Sequence, residues 1–293
     1  MPFTLSHAAA VLPGIRRGGR ARGPLVASAL VAGSFSPDMT YFAASAVPDA
    51  MFFGDVTHSP LGVVTVDVLI TAVLVALWLM VREPLVALLP RGLRGRVYEA
   101  VRGRPWRERR PAALAGWFVV SAVIGAATHV VWDAFTHFDR WGTRLIPVLG
   151  EVVAGFPLYL YTQYGSSALA LVALAWFTVR ALRAVPADTA LPAGVPVPQR
   201  RGLLLAVAVI GACAVAGAVH RMVRWYAYWG RIETPLDIIP TLCFGAGAGL
   251  FVGVVVYGAG VRVGALRARS GARRTADRRD GAVAEPAPER GRS

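Results

Sequence analysis

The sequence predicts an all-α polytopic membrane helix bundle, with about five long spans plus an N-terminal helical hairpin. Three observations predict it. The 293-residue chain is 55 % apolar with a mean hydropathy of +0.52, beyond what an ordinary soluble domain carries. Its apolar residues gather in runs of span length: Leu61–Val81, Ala112–Val131, Leu158–Leu182, Gly202–Met222 and Pro240–Val261. Its net charge of +14 comes entirely from arginine, since lysine is absent, and the arginines cluster in the segments between those runs. That distribution fits positive-inside topology and argues against nucleic acid as the partner.

The elements follow in order. Met1–Ile15 is apolar but too short to cross a hydrocarbon core of ~30 Å. A Gly/Arg loop, 16–23, separates it from Pro24–Val47, which Ser34-Phe35-Ser36-Pro37-Asp38 interrupts; Pro37 disfavours helix at Ser36. The two segments form the hairpin. Asp49–Ser59 is a polar connection, and the span after it carries one charge, Asp67, a candidate buried partner for histidines or an arginine. Arg82–Arg110 holds nine arginines against three glutamates. A Pro/Ala-rich linker, Arg183–Arg201, leads to the last two spans, which an aromatic-rich segment, Val223–Ile239, separates as an interfacial belt.

The arginine bias places the 16–22 loop, 82–110, 183–201 and the C-terminus on the cytoplasmic side of a bacterial inner membrane. It places 38–60, 132–157 and 223–239 outside. Residues 1–265 read as a membrane-embedded helical domain, with a candidate metal site within 1–140. Residues 266–293 read as a disordered basic cytoplasmic tail.

The stretch Thr128-His129-Val130-Val131-Trp132-Asp133-Ala134-Phe135-Thr136-His137 carries the chemistry. His129 and Asp133 share one helix face, and His137 follows one step on. Four of the five histidines fall before residue 138, all in polar breaks or at span ends, where ionisable groups are costly unless functional. The candidate metal ligands are His7, Asp38, His58, His129 and Asp133, with Asp133 and His137 as candidate catalytic groups. Imidazole and carboxylate together suit a divalent metal, zinc first. Blander roles exist for each: an interfacial polar residue for His7, a turn cap for Asp38, a helix start at His58-Ser59-Pro60, a pairing of Asp133 with Arg140 or Arg144, and support at the interface for His137.

Met1-Pro2-Phe3-Thr4-Leu5-Ser6-His7-Ala8-Ala9, Gly33-Ser34-Phe35-Ser36-Pro37-Asp38, His58-Ser59, the 128–137 stretch and Gln163-Tyr164-Gly165-Ser166-Ser167 together resemble a bacterial integral-membrane family catalogued as domain of unknown function 4184. That family brings no activity with it. The order His, Pro-Asp, His-Ser, His-x-x-x-Asp also resembles the membrane-bound metal-dependent hydrolases and, more distantly, zinc-dependent phospholipase C. That resemblance implies His7, Asp38, His58, His129 and Asp133 as the ligand positions. Met39-Thr40-Tyr41 follows Pro37-Asp38 where those hydrolases carry a further acid and histidine, which counts against a second metal. The expected function is hydrolysis of a phosphoester or lipid-like bond at the outer membrane boundary, with the bilayer as partner and an amphiphilic anionic substrate drawn by Arg140 and Arg144. The alternative is a transporter-like or structural membrane protein with a non-catalytic metal site.

Overall fold

A computed structural model of the chain describes residues 3–192, 194–232 and 235–283. It is an all-α bundle, with one two-residue β-hairpin that pairs Val152–Val153 with Phe156–Pro157. The principal helices are α1 (Ala27–Gly33), α2 (Val66–Leu88), α3 (Arg91–Arg102), α4 (Pro111–Ala134), α5 (Leu158–Arg183), α6 (Arg200–Trp229) and α7 (Pro235–Val283). Among the described residues five helices are long and apolar enough to cross a membrane: α2, α4, α5, α6 and the Ile238–Ala268 part of α7. They turn large apolar side chains outward. Leu169, Val172, Leu204 and Leu205 are all at least 60 % exposed, as expected where lipid is the solvent. This is the build of a multi-pass membrane protein.

The N-terminal hairpin is present, but in short pieces. A 3-10 turn (Thr4–His7), one helical turn (Ala8–Val11) and a second 3-10 turn (Leu12–Gly14) descend to the basic loop. The Ile15–Ala21 bridge closes the loop, and α1 returns. Val11, Ile15 and Leu30 form the small core between the two arms. The N-terminal arm lies between α4 and α5, and α1 lies between α4 and α2.

Backbone contact fixes the α1–α4 crossing. A Cβ on Gly33 would sit 2.5 Å from the Ala122 carbonyl oxygen, and one on Gly125 would sit 2.4 Å from that of Leu30. Only glycine allows such an approach, and small residues are the usual means of helix association in lipid. The Ser121 hydroxyl accepts from the Val26 amide at 2.9 Å, satisfying a donor just ahead of α1. On the far side, Gly217 on α6 meets Gly245 and Gly249 on α7 in the same way, and α7 packs on α2.

Three boundaries differ from the sequence reading. The span expected over Leu61–Val81 is split: a short helix, Pro60–Val64, stops at Thr65, whose hydroxyl donates to the Leu61 carbonyl at 2.6 Å, and α2 begins at Val66. The aromatic segment expected to lie between the last spans is largely helix, because α6 runs through Trp225 and Tyr228 to Trp229 and ends at Gly230 in the left-handed region, φ 71°. The tail expected to be disordered from 266 continues α7 as far as Val283; alanine and arginine are strong helix formers, and charge spaced along a helix does not stop it. Residues 284–293 of that tail lie outside the described residues.

Alternation of the spans collects Arg82–Arg110 and Arg183–Arg201 at one end of the bundle. Residues 38–60 and 132–157 collect at the other, arginine-poor end.

Candidate metal centre

Three chain segments converge at the arginine-poor end beside the N-terminal arm, and each presents a polar side chain for a local reason. α1 stops at Gly33. The Ser34 hydroxyl donates to the Val31 carbonyl at 2.7 Å and the Ser36 hydroxyl to that of Gly33 at 2.8 Å, so the last turn is satisfied. Pro37 opens the 3-10 turn that carries Asp38 inward. The Thr57 hydroxyl donates to the Pro37 carbonyl at 2.8 Å and ties the following connection to that turn. Ser59 then caps Pro60–Val64 by accepting from the Gly62 amide at 3.0 Å, which leaves His58 at the bend facing the cluster. His129 and Asp133 project from the last two turns of α4.

The ligand atoms of Asp38, His58, His129 and Asp133 all lie within 4.8 Å of one another. The His129 Nε2 is 3.4 Å from Asp133 Oδ2 and 3.5 Å from Asp38 Oδ1. The His58 Nε2 is 3.7 Å and 3.9 Å from the same two oxygens. These separations are long for hydrogen bonds. They are close to the spacing of ligands around one ion, since tetrahedral ligands on bonds of about 2.0–2.1 Å stand about 3.4 Å apart.

The outer contacts aim these atoms. The His129 Nδ1 lies 2.8 Å from the Ser34 carbonyl oxygen, and the His58 Nδ1 lies 2.8 Å from that of Gly54. A carbonyl only accepts, so each Nδ1 carries the proton and each Nε2 offers its lone pair inward. The Thr4 hydroxyl donates to Asp38 Oδ2 at 2.5 Å, which holds that carboxylate with Oδ1 turned to the cluster.

Electrostatics favour a cation. The side chains of Asp38, His7 and His129 are fully buried, and those of His58 and Asp133 are at most 5 % exposed. Among the described residues no arginine pairs with Asp38 or Asp133. Arg144 holds Asp139 at 2.8 Å and Arg140 stands 4.0 Å from Asp55, so neither compensates the cluster. Two buried carboxylates need two positive charges; one proton on an imidazole supplies half, and a divalent cation supplies both. Asp38 Oδ1 and His129 Nε2, which face each other, and Asp133 Oδ1, which faces His7, are buried without a hydrogen-bond partner, each at a cost of about 1–3 kcal/mol if nothing else pairs with it.

The remaining candidates sit around this group. The His7 ring stacks on His129 with centroids 3.7 Å apart, and its Nε2 is 3.4 Å from Asp133 Oδ1, the oxygen turned away from His58. Burial, then the neighbouring His129, pushes the His7 imidazole down to about 3, so it is neutral at pH 7. His7 therefore borders the four-residue group, one carboxylate width away. His137 is turned differently. Its Nδ1 faces the Asp133 carbonyl at 3.3 Å and its Nε2 meets the Gln163 side-chain amide at 3.0 Å, so both nitrogens are engaged. Burial pushes His137 down to about 4 although 27 % of its side chain is exposed, and it too is neutral at pH 7. Asp67, expected as a partner for the site's histidines or an arginine, makes no ion pair among the described residues; both its oxygens and the Thr71 hydroxyl one turn on are buried without hydrogen bonds.

Sequence reasoning missed Thr4 and the carbonyls of Ser34 and Gly54. A spacing of three places Thr4 one turn before His7, which is a weak signal. Backbone acceptors leave none. The sequence marks Gln163 only through the 163–167 motif, with no indication of what it contacts. Its neighbours join the same wall: Trp132 donates to Ser166 at 3.0 Å and Ser6 to Ser167 at 3.3 Å.

Residues 1–259 match the family described as domain of unknown function DUF4184. The chain belongs to that family. No curated protein and no solved structure matches it. The DUF4184 match takes in every residue of the cluster, its supports Thr4, Ser34, Gly54 and Gln163, and all five membrane-length helices apart from the end of α7. In this DUF4184 chain Thr4 holds Asp38 and Gln163 holds His137.

Proposed function

We propose that this protein is a membrane-embedded, metal-dependent hydrolase that acts on a phosphoester or similar lipid-like bond at the outer face of a bacterial inner membrane. The observation that carries the reading is the buried group of two carboxylates and two oriented imidazoles whose ligand atoms lie within 4.8 Å of one another, with no arginine among the described residues to balance them. The outer face follows from the arginine-rich opposite end of the bundle, which the positive-inside rule assigns to the cytoplasm together with the C-terminal tail.

Asp38, His58 and His129 hold the ion in this reading, and Asp133 completes the set through Oδ2. A bound divalent ion, zinc first, would supply a Lewis acid and bring the pKa of water at the site towards neutrality. Asp133 Oδ1 serves as the general base in this reading, and the neutral His7 imidazole 3.4 Å away orients it. His137, held by Gln163, is the exposed imidazole of the group, and marks the side from which substrate arrives. The location at a span end favours an amphiphile. Arg144 is committed to Asp139, so the headgroup attraction expected of Arg140 and Arg144 falls mainly to Arg140. This reading has no nucleic-acid partner.

A second reading has a specific observation in its favour. Four protein ligands with side chains at most 5 % exposed resemble a closed structural site, which holds a metal without turnover. A transporter has less support, since the polar groups gather at one end of the bundle and Gln163 serves His137.

The separating experiment reconstitutes the zinc-loaded protein in lipid nanodiscs and follows release of headgroup and diacylglycerol from phosphatidylglycerol by mass spectrometry. Hydrolysis that a chelator stops and His7→Ala lowers at least about 100-fold, with metal content kept, is the expected result. Metal retained with no turnover on phosphatidylglycerol or on a soluble aryl phosphodiester supports the structural site.

A further inference from the structure

At the opposite end of the bundle a cavity of about 530 Å³ is lined by Arg82, Arg102, Arg104 and Arg107, with Leu79, Pro105 and Trp106 completing its wall. It sits where α2 approaches its end, α3 ends and the chain turns towards α4, so it lies at a membrane boundary whichever way the protein is inserted. Four arginines around one cavity repel each other unless an anion is present.

The acids nearby balance only one of them. Glu99 holds Arg102 at 2.8 Å, and Glu83 turns to Arg262 on α7 at 2.7 Å. Among the described residues Arg82, Arg104, Arg107 and Glu108 form no ion pair. Arg82 is the anchored member. Its Nη1 donates to the Arg102 carbonyl at 3.2 Å, while its Nε is buried without a hydrogen-bond partner. A buried guanidinium N–H without an acceptor, on a residue that lines a basic cavity, is a second, independent pointer to an anion, because leaving it unmatched costs free energy that an acceptor recovers.

General positive-inside bias explains arginines at this end. It does not explain their convergence on one cavity, nor the unmatched donor in its wall. We infer that this cavity is a binding site for the phosphate of an anionic phospholipid. The Arg82 guanidinium and the exposed Arg104 and Arg107 take the phosphate oxygens; Leu79 on the span and Trp106, 36 % exposed, lie along the glycerol and first methylenes. Leu79 and Trp106 are what favour a lipid over a free ion, since a soluble anion gains nothing from an apolar wall and an interfacial tryptophan. The site is remote from the metal centre and independent of whether that centre turns over.

The test uses the delipidated full chain in neutral detergent, titrated with phosphatidylglycerol or zwitterionic phosphatidylcholine and read as bound lipid per chain by native mass spectrometry. Arg104→Gln/Arg107→Gln, which touches exposed side chains only, is expected to weaken phosphatidylglycerol binding about tenfold at low salt. Adding Arg82→Gln is expected to bring the loss to roughly 100-fold. The charge-matched control Arg183→Gln/Arg200→Gln/Arg201→Gln is expected to lose less than about threefold. Equal losses in variant and control overturn the site and leave only diffuse attraction. Equal binding of the two lipids also overturns it, as does complete displacement of phosphatidylglycerol by millimolar inorganic phosphate, which would make the cavity a free-anion site.

Discussion

Valine in place of Gly125 is expected to destabilise the protein by about 3 kcal/mol and lower its melting temperature by roughly 6–10 °C. The Cβ alone would stand 2.4 Å from the Leu30 oxygen and 2.7 Å from the Ser34 nitrogen, so α1 must move off α4. That movement withdraws the Ser34 carbonyl, which orients His129 at 2.8 Å, so metal affinity is expected to fall with stability. Gly116→Val on the same helix is the control. Nothing lies within 4 Å of a Cβ there, and the change is expected to stay within about 0.5 kcal/mol. Thermal unfolding in detergent compares the two. Equal shifts would mean that the α1–α4 crossing does not depend on backbone contact.

Asparagine at Asp38 is expected to lower metal affinity more than about 100-fold while the protein still folds, since even an outer contact to a ligand is worth 10–100-fold. The amide has the shape of the carboxylate, and its oxygen still accepts from Thr4 Oγ1, which now stands 2.5 Å from Oδ2. What is lost is one of the two negative charges that a divalent cation balances, and the oxygen 3.5 Å from His129 Nε2. Competition against a zinc-sensitive chelating dye measures this. Unchanged affinity with an unchanged elution profile would remove Asp38 from the ligand set.

Much of this fold was legible because lipid makes a simple demand. A run of about 20 apolar residues must be helix, and arginines between runs order the crossings. The cluster was legible in part for the same reason. His129 and Asp133 share a face by helical period, and topology alone put Asp38 and His58 at their end of the bundle. The rest depended on contacts that no period encodes. The hairpin lifts His7 through two 3-10 turns rather than a regular helix, and Thr4 completes the fit. Which nitrogen of His129 faces inward is settled by the carbonyl of Ser34, whose side chain is directed elsewhere. His137 shares the stripe with Asp133, yet Gln163, 26 residues away, takes its second nitrogen. Arg140 and Arg144 looked like partners for Asp133 or an anionic headgroup, whereas local acids at Asp55 and Asp139 stand nearer. The break at Thr65 came from a hydroxyl competing for a helix carbonyl, a contact that periodicity does not register.

The proposed function rests on one divalent ion held by Asp38, His58, His129 and Asp133. Metal analysis of the detergent-purified protein by inductively coupled plasma mass spectrometry, wild type beside His129→Ala/Asp133→Ala, tests it most directly. About one zinc or comparable divalent ion per wild-type chain, falling to below about a tenth in the double variant, is the predicted result. The same metal content in both proteins would contradict it.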